Sequence, residues 1–141
     1  MNDNRVFVDT NVFVYAKLEH EQNKIKKQLA TQLLESLKGQ VIISTQVLNE
    51  FASVLIKHHV DDGMVQSAVQ AIIEDCYVSA VGLSTVKKAW EIRIKHHFSY
   101  WDSQILASAL EMNCSAIYTE DLQHSQIIEQ KLKIINPFEK R

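Results

Sequence analysis

The stretch VFVDTN at residues 6–11 decides the fold class of this 141-residue chain. Its three apolar residues are followed at once by an acidic, a hydroxyl and an amide side chain. Short, wholly apolar runs of this kind are typical of strands that are buried on both faces of a parallel sheet. In such sheets, ligands bind beyond the carboxyl ends of the strands. The stretch therefore predicts a first strand over 6–8 and places Asp9 at the edge where ligands bind.

Apolar strands and amphipathic helices alternate along the rest of the chain. Further strands are predicted at 41–43, 77–81, 116–118 and 133–135, with helical spacing of apolar residues between them. A short helix is predicted at 125–130. This alternation is typical of right-handed βαβ units. We predict a three-layer α/β/α sandwich with a five-stranded parallel sheet, formed by residues 1–141 as a single domain.

The composition bounds the class of protein. Only three glycines and one proline are present, which argues against a turn-rich β-sandwich or a disordered chain. The net charge of −2 gives no overall basic character of the kind that nucleic-acid binders usually show. Cys76 and Cys114 fall in or beside apolar runs and are predicted to be free thiols in a reducing compartment. Neither a signal peptide nor an apolar stretch near the ~20 residues of a membrane span is visible, so we expect a cytoplasmic protein with no membrane contact.

Basic and aromatic side chains leave two interpretations open. The basic residues concentrate in two segments, comprising Lys24, Lys26 and Lys27, and Lys87, Lys88, Arg93 and Lys95. They are either solvated helix faces or phosphate contacts that flank an acidic site. Trp90 lies on a helical stripe, and we predict that it packs in the core.

Four acidic residues fall where the ligand-binding edge is predicted. Asp9 and Asp121 each follow a strand, whereas Glu50 and Asp102 lie in the first turns of helices that begin at the same edge. Asp102 also shares its helical stripe with apolar residues, and a carboxylate on a core-facing stripe is costly unless something pairs with it. The four carboxylates are therefore predicted to converge on one rim of the sheet.

Each of these acids also has a purely structural interpretation. Asp9 fits a turn or helix cap, and Asp102 fits a capping box with Ser99. Glu50 could be a solvated residue at the edge of its helix, and Glu120 competes with Asp121 for the same role. Taken together, the acids predict a site for a hard divalent cation, because Mg²⁺ and Mn²⁺ prefer oxygen ligands and support phosphoryl transfer.

Other sites are disfavoured by the residues themselves. A zinc site at the pairs His58-His59 and His96-His97 is disfavoured, since adjacent histidines on a helix point about 100° apart and lack cysteine partners. A haloacid-dehalogenase phosphatase needs Asp-x-Asp after the first strand, where this chain has Asp-Thr-Asn. A receiver domain has an acidic pair and a lysine that are not found in the expected places. No P-loop or G-x-G-x-x-G motif is present.

Four segments, taken in order, resemble the PIN-domain family. They are VDTNV at 8–12, NE at 49–50, YWD at 100–102 and YTEDL at 118–122. The similarity is strongest to VapC-type toxins of bacterial toxin–antitoxin pairs, and it spans essentially the whole chain. The resemblance implies a Mg²⁺- or Mn²⁺-dependent endoribonuclease, a homodimer, and a cognate antitoxin that inserts near the acidic site.

The resemblance also implies roles for individual residues. The acidic positions of the family fall on Asp9, Glu50, Asp102 and Asp121, with Thr10, Asn11 and Thr119 as supporting residues. Asp9, Asp102 and Asp121 are expected to hold the metal, whereas Glu50 completes the shell or orients the attacking, metal-activated water.

One departure and two alternatives accompany the resemblance. Ser125 stands where similar toxins often have glycine, and because serine is poorer at positive φ we expect a differently shaped loop. A binding module without turnover could instead use the PIN scaffold, with Trp90, Phe98, Tyr100 and Trp101 as an interface. A housekeeping PIN nuclease acting on other nucleic acids is the second alternative.

Overall fold

The computed structural model describes residues 4–19 and 21–139. The strands are β1 Val6–Val8, β2 Val41–Ser44, β3 Tyr77–Ser79, β4 Ala116–Tyr118, β5 Ile127–Ile128 and β6 Leu132–Ile135. The α-helices are α1 Thr10–Lys17, α2 Lys24–Ser36, α3 Thr45–Lys57, α4 Asp62–Asp75, α5 Leu83–His96 and α6 Tyr100–Glu111. A 3₁₀ turn, Glu21–Asn23, precedes α2.

The strands form one sheet in the order β3-β2-β1-β4-β6-β5. All neighbouring pairs from β3 to β6 are parallel, which confirms the predicted α/β fold with five parallel strands. The register pairs Val8 of β1 with Tyr118 of β4. The next residues of the two strands, Asp9 and Thr119, are therefore neighbours at the carboxyl edge of the sheet.

The additional strand β5 lies where a short helix was wrongly predicted. Residues 125–130 form no helix; instead β5 pairs antiparallel with β6 at the edge of the sheet. Three residues, 129–131, join the two strands, and the first two of them, Glu129 and Gln130, have positive φ values of 53° and 58°. Lys131 donates its amide to the carbonyl of Ile128, so the connection is a tight hairpin turn with the backbone of type I′.

Two further features differ from the sequence-based expectation. α1 follows β1 directly and was not predicted, because its eight residues include an unbroken apolar run at 12–16, which is too short and too uniform to show a helical period. The predicted core packing of Trp90 is wrong, since 51% of this residue is exposed. The helical stripe of α5 turns Ala89 and Ile92 towards the core instead.

The helix α6 forms the centre of the packed interior. Every residue from Ser103 to Leu110 is buried, and the helix contacts β2, β4 and α5. Both cysteines are free thiols, Cys114 buried and Cys76 half-buried. Within the described ranges, no helix combines the length and the apolar character needed to cross a membrane.

Candidate active site

The side chain of Asp9 is fixed where β1 ends and α1 begins. Its Oδ1 accepts the amide of Thr10 at 2.7 Å, so Asp9 caps α1. Its Oδ2 accepts the hydroxyl of Thr119, which follows β4, at 2.8 Å. Both carboxylate oxygens are thus oriented before any ligand binds, as a preformed site requires.

The carboxyl group of Asp9 resists ionisation in this environment. Only 5% of the residue is exposed, and burial raises the pKa of its carboxyl group to about 7. The hydrogen bonds from Thr119 and Thr10 oppose this shift, whereas the negative charges of Asp121 and Glu50 add to it. A cation at the site would reverse the balance, because a nearby positive charge favours the ionised carboxylate.

Glu50 reaches the site from α3 and is held by two donors. The hydroxyl of Thr10 donates to Oε1 at 2.8 Å, and the amide of Gln46 donates to Oε2 at 3.2 Å. Gln46 is itself buried and accepts the amide of Gln104 on α6 at 2.7 Å. The position of Glu50 therefore depends on the packing of α3 against α6.

Asp121 lies beyond the end of β4 and contacts α1. The amide of Asn11 donates to Asp121 Oδ2 at 3.2 Å, and the backbone amide of Asp121 donates to Thr119 at 3.1 Å. The neighbouring Glu120 points elsewhere, because it accepts the hydroxyl of Tyr15 at 2.6 Å and forms an ion pair with Lys26. Of these two rivals, Asp121 is the one that faces the other acids.

Asp102 lies in the first turn of α6, where its backbone amide donates to Ser99 Oγ at 3.1 Å. Ser99 thus caps α6, which is one half of the predicted capping box. Burial raises the pKa of the Asp102 carboxyl group, a hydrogen bond with Ser99 lowers it, and the charges of Asp121 and Glu50 raise it further. Capping and a place in the acidic cluster are therefore compatible for this residue.

The structure brings the four predicted acids into one another's electrostatic field, since Glu50 and Asp121 act on both Asp9 and Asp102. No described Lys, Arg or His forms an ion pair with any of the four. Such a cluster of uncompensated oxygen donors fits the ligand chemistry of Mg²⁺ and Mn²⁺. In the part of the chain that the structure describes, no three acidic, histidine or cysteine side chains stand close enough to share an ion directly. A cation there would therefore need water, substrate oxygens or side-chain rotation to complete its shell.

A groove of about 1040 Å³ opens beside these acids between α1 and α3. Thr10, Glu50 and Asp121 line it together with Trp101, which directly precedes Asp102. None of its described lining residues is Lys or Arg. The groove thus offers acids, amides, hydroxyls and one indole ring to a ligand.

The basic segments pair with acids inside the molecule. Lys26 binds Glu120, Lys27 lies 3.6 Å from Glu19, and Lys88 and Lys95 both contact Glu129. Arg93 donates to the carbonyl of Phe98 at 2.8 Å. Five of the seven basic residues of the two segments therefore have intramolecular partners.

Sequence reasoning missed the two glutamines behind Glu50. Gln46 and Gln104 are both 6% exposed, and Gln46 also donates to the carbonyl of Trp101 at 3.2 Å. Gln104 lies on the side of α6 opposite the apolar stripe, so nothing in the sequence indicated that this amide is buried and needs a partner. The partner itself could not be identified without the fold.

Ser125 adopts the backbone conformation that favours glycine. Its φ is 72°, in the left-handed region, and its amide donates to the carbonyl of Ile134 at 2.8 Å. The loop after Asp121 thus reaches a positive φ with a serine, at some conformational cost.

Solved structures with the same fold include three toxin–antitoxin proteins. A toxin–antitoxin complex from Klebsiella pneumoniae is 17% identical, covers 96% of this chain and 99% of its own, and superposes with a TM-score of 0.73. VapC20 of Mycobacterium tuberculosis, described as a toxin that cleaves the sarcin–ricin loop, is 19% identical, covers 79% and 86%, and has a TM-score of 0.66. VapBC2 of Rickettsia felis, bound to a DNA fragment from its promoter, is 18% identical, covers 93% and 98%, and has a TM-score of 0.68.

At these identities the likeness shows the fold. The comparison with curated proteins gives no match. The sequence model of the PIN domain, however, matches residues 6–129, which include all four acids and most of the chain. The chain therefore belongs to the PIN-domain family.

Proposed function

We propose that this protein is a divalent-metal-dependent endoribonuclease and the toxin of a toxin–antitoxin pair. The observation that carries the proposal is the electrostatically coupled cluster of four acids, Asp9, Glu50, Asp102 and Asp121, none of which has a basic partner among the described residues. Two of them, Glu50 and Asp121, line one groove. The membership of the chain in the PIN-domain family supports the same activity. The reaction would be hydrolysis of RNA phosphodiester bonds by an activated water.

The residues of the chain have distinct tasks in this proposal. Asp9, Asp102 and Asp121 would hold Mg²⁺ or Mn²⁺, which when bound activates water and offsets charge that develops on the phosphate. Thr10 and Thr119 fix the two oxygens of Asp9. Asn11 plays the corresponding part for Asp121.

Glu50 has a separate place in the proposed site. Both of its oxygens already accept hydrogen bonds, from Thr10 and from Gln46. It is thus oriented firmly enough either to complete the ion's surroundings or to hold the attacking water in line with the phosphate.

Three solved structures with the same fold support the proposed binding partners. The proteins from Klebsiella pneumoniae and Rickettsia felis are a toxin–antitoxin complex and VapBC2, and VapC20 is a toxin that cleaves the sarcin–ricin loop. We propose an antitoxin protein and an RNA substrate for this chain as well. We further propose that residues 1–141 form one nuclease domain, that the protein is a homodimer, and that it acts in the cytoplasm.

The experiment that tests the activity incubates purified protein with total RNA in Mg²⁺, in Mn²⁺ and in excess EDTA. We expect cleavage with either metal, none in EDTA, and none with Asp9→Asn or Asp102→Asn. The exposed Asp75→Asn is the matched control, and it should cleave like the wild type. Far-ultraviolet circular dichroism should show the same fold for all four proteins.

Binding of Mn²⁺, measured by calorimetry, separates the metal site from the chemistry. Asp102→Asn should weaken it strongly, whereas Asp75→Asn should not. Full cleavage by Asp9→Asn, or cleavage that persists in EDTA, would contradict the proposal. RNA binding without any metal-dependent cleavage would instead favour a binding module, and cleavage of DNA in preference to RNA would favour a housekeeping nuclease.

A further inference from the structure

Trp101 is a large aromatic residue that lies outside the hydrophobic core of the protein. It lies in the first turn of α6, and 60% of the residue is exposed. Exposing an indole ring is unfavourable in water, since the ring is large and mostly apolar. Its neighbour in sequence is Asp102, one of the four acids. An exposed indole ring next to the acids is a candidate contact for a ligand.

The surroundings of Trp101 hold it firmly at the groove. Its ring contacts that of Tyr100 at 5.4 Å between centroids and at an angle of 76°. Its backbone carbonyl accepts the amide of the buried Gln46, which also binds Glu50. The same buried side chain therefore fixes the indole-bearing residue and one of the acids relative to each other.

The groove next to the indole offers hydrogen bonds of the kind that nucleobase edges use. Asn49 lines it, is exposed, and makes no side-chain hydrogen bond to another described residue. The groove also contains acids but no described Lys or Arg. Phosphate contacts are thus scarce here, whereas a flat ring and the free amide group of Asn49 are present. Aromatic side chains stack on unpaired bases in proteins that bind single strands, and amides bind base edges.

We propose that Trp101 stacks on an unpaired base of the RNA next to the phosphate that is cut. The inference rests on the proposed nuclease function and narrows its substrate to strands whose bases are unpaired at the cleavage site. Trp101 is a positioning residue: it places the strand so that the neighbouring phosphate faces the four acids. A base held in a duplex cannot reach the indole, because both of its faces are covered by neighbouring bases.

The test measures RNA binding without cleavage, in the Asp9→Asn background and in EDTA. The probes are fluorescein-labelled oligouridylate and the same strand paired with oligoadenylate. We expect the single strand to bind more tightly than the duplex. Trp101→Ala should weaken binding of the single strand by roughly 5- to 150-fold, the range for loss of one stacked base. Trp101→Phe should retain most of the binding, since a smaller ring can still stack.

Trp90→Ala is the matched control, because Trp90 is also an exposed tryptophan but does not line the groove. It should leave oligouridylate binding unchanged. Equal binding of the single strand by Trp101→Ala and its parent would overturn the inference. So would a loss of binding in both alanine variants that accompanies dissociation of a dimer in sedimentation, since the indole would then belong to an interface between two copies.

The two proposals fail in different ways. If the wild type cleaves no RNA and the binding still depends on Trp101, the nuclease activity is refuted and the stacking stands. If the wild type cleaves RNA and Trp101→Ala has an unchanged KM and unchanged binding, the stacking is refuted and the nuclease stands. A raised KM in Trp101→Ala, partly restored in Trp101→Phe, supports both.

Discussion

Asp9 shows how one buried carboxyl group links stability to ligand chemistry. Its hydrogen bonds from Thr10 and Thr119 are well made, yet burial and two neighbouring acids still raise its pKa to about 7. The native protein without metal therefore binds a proton that the unfolded chain releases near pH 4. Stability that comes from this difference is lost as the pH rises from about 4 through about 7.

The first prediction follows from this decrease of stability with rising pH. In EDTA, the wild type should lose stability between pH 5 and pH 8, by up to a few kcal/mol at about 1.4 kcal/mol per pKa unit. Asp9→Asn removes the titrating group but keeps an acceptor for Thr10, so it should be the more stable protein at pH 8. The gap should narrow towards pH 4. Urea unfolding at several pH values measures it.

The exposed Asp75→Asn serves as the control for this series. Its pH profile should run parallel to that of the wild type. A wild-type profile parallel to that of Asp9→Asn between pH 5 and pH 8 would contradict the assignment of a raised pKa to Asp9. Addition of Mg²⁺ at pH 8 should stabilise the wild type more than Asp9→Asn, because a bound cation favours the ionised carboxylate.

At the residue scale, the acids could be predicted from the sequence, but the buried glutamines that hold Glu50 in place could not. Asp9 and Asp121 follow apolar strands, and Asp102 falls on a buried stripe, so local patterns were sufficient to place them. Gln46 and Gln104 are 58 residues apart, and their contact exists only because α3 packs near α6. Nothing in either local sequence specifies that pair.

Among the elements, the hairpin of β5 and β6 departs most from expectation. Its turn residues, Glu129 and Gln130, have positive φ values that asparagine and glycine adopt far more readily. The usual hairpin signal was therefore missing, and the segment looked helical. A compensating contact comes from α5, since Lys88, Lys95 and His96 all approach the carboxylate of Glu129, at 3.4, 3.0 and 3.2 Å.

The second prediction concerns this contact between α5 and the hairpin. Hydrogen bonds from Lys95 and His96 lower the pKa of Glu129 to about 2. Its stabilising effect is therefore complete above the unfolded pKa near 4.5 and is lost as the pH falls towards 2. Glu129→Gln should destabilise the protein at pH 7 by about 1 kcal/mol, a modest value because the side chain is partly exposed and screened by water.

Glu91→Gln is the matched control, since Glu91 is an exposed glutamate on the same helix α5. It should change the free energy of unfolding little. The difference between Glu129→Gln and the wild type should shrink below pH 4 and at high salt. A difference that stays constant from pH 7 to pH 3 would exclude the ion pairs as its cause.

For the whole molecule, the parallel arrangement of the strands could be predicted from the sequence. The order of the strands in the sheet and the additional edge strand β5 could not. Alternation of strands and helices indicates a parallel sheet, because the right-handed crossover leaves few other arrangements. The position of β1 between β2 and β4 is a matter of tertiary packing. The exposure of Trp90 is likewise global, since the helical stripe alone does not show which side of α5 the rest of the chain covers.

The third prediction belongs to the assembled protein. A homodimer should sediment at micromolar concentration with roughly twice the mass of the 16.2 kDa chain. Dilution should shift the distribution towards the single chain, because association depends on concentration. A species of single-chain mass alone throughout the micromolar range would refute the dimer and leave the proposed chemistry untouched.

The pairing of β1 with β4 determines at what point of protein synthesis the acidic site can form. A ribosome makes Asn11 early, and Asp121, to which its amide binds, follows 110 residues later. Thr119, which orients Asp9, is equally distant along the chain. The acids cannot assemble in any shorter nascent chain. A protein proposed to cut RNA is thus unable to act until translation has passed Asp121, 110 residues after Asn11.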